Sequence, residues 1–112
     1  MKNFYFFAVL LFFMSPLCAD IYEDLSCFGD RADHESIQLL EHTASAIGVT
    51  DKRFLLFMVR DQFVCCAQVF PHVYDDQEYM IVRIWKSLFD ELNAGEKRAL
   101  FGHELMHIRM EI

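Results

Sequence analysis

The chain has 112 residues, a formal net charge of −7 and a pI near 5.0. That length holds one domain, and so acidic a chain lacks the basic surface a nucleic-acid partner needs. Hydrophobic residues make up 54% of the sequence, a share raised by the first residues.

Lys2 precedes the unbroken apolar run Phe4–Met14. Ser15 and Pro16 break the run, and Leu17-Cys18-Ala19 offers a cleavage site before Asp20. This order predicts a signal peptide over residues 1–19, leaving a domain of residues 20–112. The run is shorter than the roughly 20 apolar residues that span a bilayer. The protein is therefore expected to be periplasmic or secreted; the alternative is membrane association through an uncleaved N-terminal segment. Leu17 is bulky where a lipoprotein signal has a small residue, which argues against lipidation of Cys18. Cleavage would leave Cys27, Cys65 and Cys66 in an oxidising compartment where disulfides persist. Neighbours on a strand point to opposite faces, so Cys65 and Cys66 are not expected to pair with each other. One of them could pair with Cys27, or all three could be buried thiols.

Residues 34–47 have the spacing of a helix, with Ile37, Leu40, Ala44 and Ile47 on one face. Asp33 is placed to cap its start and Gly48 its end. Residues 54–60, FLLFMVR, and 63–70, FVCCAQVF, are β-leaning apolar runs separated by Asp61-Gln62. Pro71-His72 is expected to end the second run and Asp75-Asp76 to form a turn. Residues 78–84, EYMIVRI, read as a third strand, and Trp85–Leu92 as a short helix. Asn93 followed by Glu96 has the pattern of a capping box. A last helix is expected over residues 95–112, with Phe101, Leu105, Ile108 and Ile112 on its buried face. Helix, small antiparallel or mixed sheet, then helix predicts an α+β fold.

That last helix carries HELMH, residues 103–107, an H-E-x-x-H string. His103 and His107 are one turn apart, which puts their Cβ atoms roughly 5–6 Å apart on one face. Two imidazoles so placed can converge on one zinc at about 2.0–2.1 Å per bond. Zinc lowers the pKa of a coordinated water to about 7. Glu104 lies about 100° round the helix, beside the metal position, where its carboxylate can act as general acid and base. The bland reading is a pair of solvated histidines on an amphipathic helix.

The stretch 81–108, IVRIWKSLFDELNAGEKRALFGHELMHI, resembles the zinc metallopeptidases that include HtpX, BepA and the CAAX prenyl endopeptidases. Glu96, Ala99, His103, Glu104, His107 and Ile108 match that family's helix in register. Upstream, IQLLEHTASAIGV followed by strands is similar to its opening helix and first hairpin, in topology only. The resemblance implies His103 and His107 as zinc ligands and Glu104 as catalytic base. It further implies a third ligand, a glutamate on a downstream helix, which the 112 residues do not contain.

Other donors are poor substitutes. Glu111 continues the 103–107 stripe but starts about 9 Å along the axis from residue 105, at 1.5 Å per residue. His34, His42 and His72 are more simply surface histidines, and Asp75, Asp76 and Glu78 a solvated turn. The chain is therefore expected to be the N-terminal part of a longer peptidase, and as encoded to bind zinc weakly. Two functions follow. One is an exported zinc metalloendopeptidase acting on protein or peptide substrates. The other is a non-catalytic zincin-like binding module that works by contact with cell-envelope proteins. A structural zinc site is disfavoured, because Cys65-Cys66 lacks the C-x₂₋₄-C spacing such sites use.

Overall fold

The computed structural model of the protein describes residues 21–61 and 66–110. Residues 1–20 with the expected signal peptide, residues 62–65 with Cys65, and Glu111 and Ile112 lie outside the described residues. A 3₁₀ turn, Ser26–Phe28, leads into the short strand β1 (Asp30–Arg31) and helix α1 (His34–Ala46). Then come β2 (Phe54–Val59), β3 (Ala67–Tyr74), β4 (Gln77–Trp85), α2 (Lys86–Glu91) and α3 (Ala94–Met110). The fold is α+β, with a mixed four-stranded sheet in the order β1-β2-β4-β3.

The last strand inserts between the two before it. β4 pairs parallel with β2, from Phe54↔Met80 to Val59↔Trp85, and antiparallel with β3, from Ala67↔Ile84 to Tyr74↔Gln77. The adjacent runs at 54–60 and 63–70 are thus not a hairpin pair. β3 and β4 are the hairpin. Asp75 and Asp76 both sit in the left-handed region, with φ of 50° and 61°, as a two-residue type I′ turn requires and Asp tolerates. Pro71-His72 does not end β3, which runs on to Tyr74. Proline is admissible there because β3 is an edge strand and its missing N–H falls on the open side.

Burial explains why β2 reads as an unbroken apolar run and why Met80, Ile81 and Val82 of β4 are consecutively apolar. Both are interior strands covered on both faces, so inward and outward positions are alike apolar. On one face, Leu56, Met58, Met80, Val82 and Ile84 pack with Leu40 and Ala44 of α1 and Phe101, Leu105 and Ile108 of α3. On the other, Leu55, Phe57 and Ile81 pack beneath Ile21 and Leu25. Gly29 lets the chain entering β1 approach β2 closely, since a Cβ there would come within 2.7 Å of the Met58 carbonyl oxygen. Phe28 then sits edge-on to Phe57, Phe70 and His72, and its carbonyl accepts a 2.8 Å hydrogen bond from Arg83 Nε.

Both expected helix starts are present. The Asp33 carboxylate accepts from Ser36 N at 2.8 Å, and Gly48 follows the helix end with φ of 85°. At α3, Asn93 Oδ1 accepts from Glu96 N at 2.9 Å, and Asn93 N donates to Glu96 Oε1 at 3.0 Å. This reciprocal pair satisfies two amides that the helix itself leaves without partners.

Candidate metal centre

Core packing fixes which way α3 presents its chemistry. Phe101 and Leu105 are fully buried and Ile108 nearly so, and together they mark the side facing the sheet. At 100° per residue, Gly102 then falls on one flank, and a Cβ on it would lie 3.9 Å from Thr43 Cγ2 of α1. Glu104 falls on the opposite flank and is half-buried, while His103 and His107 lie beyond it, exposed to solvent. The two imidazoles stand edge to face, with ring centroids 5.1 Å apart. From that separation each can turn a nitrogen toward one ion, with the Glu104 carboxylate beside them.

The sheet tells what lies on that flank. α1 packs over β2 and α3 over β3, and among the described strands β3 is the outer one. The side of α3 that faces away from α1 is therefore the side of the open sheet edge. The hydrogen-bond parity of β3 can be read from its neighbours. Met80 N donates to Arg53 O of β2's approach, and Trp85 N donates to Cys66 O. Even-numbered residues of β3 thus turn their backbone groups toward β4. Val69, Pro71 and Val73 turn theirs outward. The edge position of β3 was not legible in the sequence pattern; the proline inside an apolar run was a signal for it.

The other candidate donors are dispersed. His72 lies on the opposite face of the sheet, with its ring 5.2 Å from that of Phe28, so the sheet separates it from α3. His34 is the first residue of α1, and His42 is exposed on the same helix. Asp75, Asp76 and Glu78 are exposed at the hairpin turn. Among the described residues, no three His, Cys, Asp or Glu side chains form a group that could hold a metal ion. His103 and His107 fit zinc as two of its ligands, and Glu111, the remaining candidate, lies outside the described residues. Cys27 and Cys66 are free, exposed thiols.

A cleft of about 600 Å³ opens elsewhere, lined by Tyr22, Arg31, Ile37, Arg53, Phe54 and Tyr74 among others, with no residue of α3. Size and chemistry part company here, and chemistry decides. The cleft holds no imidazole or thiol, whereas the α3 stripe holds two imidazoles and a carboxylate. The Asp33 carboxyl is electrostatically perturbed. Hydrogen bonds from Ser36 hold its carboxyl below the usual aspartate range, and the charges of Lys97 and Lys86 add to this.

Comparison with protein-family models, curated proteins and solved structures gives no match for this chain. Among the described residues, no helix is long and apolar enough to cross a membrane.

Proposed function

We propose that this chain is an exported zinc-dependent metalloendopeptidase domain of the type its last helix resembles, cleaving peptide bonds in protein or peptide substrates. The observation that carries the reading is the stripe on α3: two exposed imidazoles with centroids 5.1 Å apart, with Glu104 half-buried on the same flank. The open β3 edge on that flank supports a peptide substrate, because an extended chain can add to a free strand through backbone hydrogen bonds.

His103 and His107 would hold zinc through neutral ring nitrogens. Zinc, when bound, supplies Lewis acidity that polarises the scissile carbonyl and makes water a nucleophile near neutral pH. Glu104 takes a proton from the attacking water on a carboxylate oxygen as the new C–O bond forms. It then delivers that proton to the departing amine as the C–N bond breaks, so one carboxylate serves as base and then as acid. Asn93 and the Phe101–Leu105–Ile108 face fix the start and the rotation of the helix, which keeps all three groups on one flank. A catalytic zinc takes three protein ligands, and the third comes from outside the described residues. Signal-peptide cleavage near Asp20 would deliver the domain to the periplasm or the exterior.

The alternative is a non-catalytic zincin-like module acting by protein contact in the cell envelope. The absence of a three-donor group among the described residues favours it. Zinc stoichiometry measured beside casein cleavage, with wild type and Glu104→Gln, separates the two. The peptidase reading expects zinc bound through His103 and His107, and Glu104-dependent cleavage once the third ligand is present in cis or from a partner. Zinc binding that ignores both histidines would overturn it.

A further inference from the structure

The cleft of about 600 Å³ exists because β1 is short. β1 pairs with only Phe57 and Met58 of β2, so it does not reach alongside Phe54 and Leu55. α1 borders the resulting gap with Ile37 and Glu41, and the layer on the other face borders it with Ile21 and Tyr22. The β3–β4 hairpin contributes Tyr74, Asp75 and Tyr79. Two cations and two anions therefore share this cleft: Arg31 and Arg53, Glu41 and Asp75. All four are exposed. The ion pairs among the described residues are Arg60–Asp30 and Lys86–Asp90. None of the four cleft charges has an opposite charge within salt-bridge distance among those residues. Arg31 lies opposite Phe57 in register, and its guanidinium carbon stands 5.0 Å from the centre of the Tyr22 ring. That contact orients the guanidinium without neutralising it. Phe54, Tyr74 and Tyr79 are half-buried. A volume within about 300–1,000 Å³, with aromatic walls and a few charged groups, is that of a small-molecule site.

We infer that this cleft binds an aromatic α-amino acid as its zwitterion, with the carboxylate at Arg31 and Arg53 and the ammonium at Glu41 and Asp75. The inference is independent of the metal centre, since no residue of α3 lines the cleft. Arginine is the side chain best shaped for a carboxylate, because its planar fork can donate two parallel hydrogen bonds. The ammonium of an amino acid offers three donors, which two carboxylates can accept. An aromatic ring loses water against Phe54 and Tyr79, and ring pairs add an edge or offset contact to that burial. Charge balance decides against simpler ligands. A bare carboxylate would meet the two guanidiniums but also the two acids, and a bare amine would meet the reverse, so each sets like charge against like. A zwitterion meets both pairs. The four protein charges are exposed, so each contact strengthens only as the ligand excludes water from the cleft, and ring and charges act together.

The test needs no metal and no turnover. The full ¹⁵N-labelled chain is titrated in metal-free buffer with L-phenylalanine and followed by ¹H–¹⁵N correlation spectra. Backbone amides of Arg31, Phe54 and Tyr79 should shift along one saturable curve, while those of His103 and His107 hold still. Phenylacetate lacks the ammonium, phenethylamine lacks the carboxylate and L-alanine lacks the ring. Each should bind about tenfold or more weakly, the order expected for losing one charge-assisted hydrogen bond or one ring contact. Arg53→Gln should weaken L-phenylalanine about tenfold and leave phenethylamine no weaker, because that probe has no carboxylate to lose. Glu41→Gln should do the converse, weakening L-phenylalanine and sparing phenylacetate. Both positions are exposed, and unchanged amide dispersion in the unliganded variants shows that they fold. Three results would overturn the inference: no saturable shift at Arg31, Phe54 and Tyr79, phenylacetate, phenethylamine or L-alanine binding as tightly as L-phenylalanine, or both variants binding L-phenylalanine like wild type. A zinc titration of the same samples reports the metal centre separately, so failure at the cleft and failure at α3 are distinguishable.

Discussion

Helices α1 and α3 lie side by side on one face of the sheet, and each carries two histidines. On α1, His34 opens the helix and His42 follows more than two turns later, both exposed and without a shared partner. On α3, His103 and His107 are one turn apart, with rings 5.1 Å from each other. Glu41 on α1 precedes His42 and is exposed, while Glu104 is half-buried beside its histidine pair. Composition is thus similar and chemistry is not. One-turn spacing brings two donors to one point, and the flank of the helix decides whether a carboxylate and an open strand edge stand next to it.

The largest separation between the helices should appear in turnover. In zinc-loaded protein with its third ligand supplied, Glu104→Gln should lower casein hydrolysis by about 10²- to 10⁴-fold, the range for a lost general base, with zinc still bound. Glu41→Gln should leave the rate unchanged. Cleavage that survives Glu104→Gln would erase the distinction on its catalytic side.

Metal affinity should divide the helices next. His107→Ala is expected to weaken zinc binding about 100-fold, since ligand loss costs at least as much as the roughly 10- to 100-fold seen for outer-shell changes. His42→Ala and His34→Ala should change it less than about twofold. Competition against a chromogenic chelator measures all three. Equal losses from α1 and α3 variants would mean that zinc is held across the two helices.

The smallest effect concerns the caps, and it separates the helices by pH. Asp33→Ala and Asn93→Ala should each cost about 1 kcal/mol in urea unfolding at neutral pH. The Asp33 carboxyl is held below its ordinary range by Ser36, with Lys97 and Lys86 adding to the shift. A lowered carboxyl pKa contributes stability above the unfolded-state value, near 4. That contribution is lost as pH falls through the lower folded-state value. The deficit of Asp33→Ala should therefore shrink in acid below about pH 4, whereas that of Asn93→Ala, a neutral cap, should persist. Parallel behaviour of the two variants would contradict the assignment of a charged cap to α1 alone.

Local signals in the sequence carried far. Asp33 and Ser36, Asn93 and Glu96, Gly48, and the Asp75-Asp76 turn all act as short-range hydrogen bonding and backbone preference dictate. The burial of Phe101, Leu105 and Ile108 and the exposure of His103 and His107 follow from helical period alone. Pairing between strands was not legible. Nothing local says that β4 inserts between β2 and β3, because strand order depends on contacts distant in sequence. Apolar content cannot separate an interior strand from an edge strand when one face of the edge is buried. Pro71 looked like a strand end because proline removes a donor, and only the edge position makes that harmless. Asp30–Arg31 is too short to show a period, and its place beside β2 depends on the close approach that Gly29 permits.

Under the proposed function, one zinc binds through His103 and His107. Long-range ¹H–¹⁵N spectra of the imidazole rings, recorded while the full chain is titrated with zinc, test it most directly. The ring nitrogens of His103 and His107 should shift together and reach a plateau at one zinc per chain, while those of His34, His42 and His72 hold still. Shifts at His34, His42 or His72 in place of the α3 pair, or no saturable shift at either α3 histidine, would contradict it.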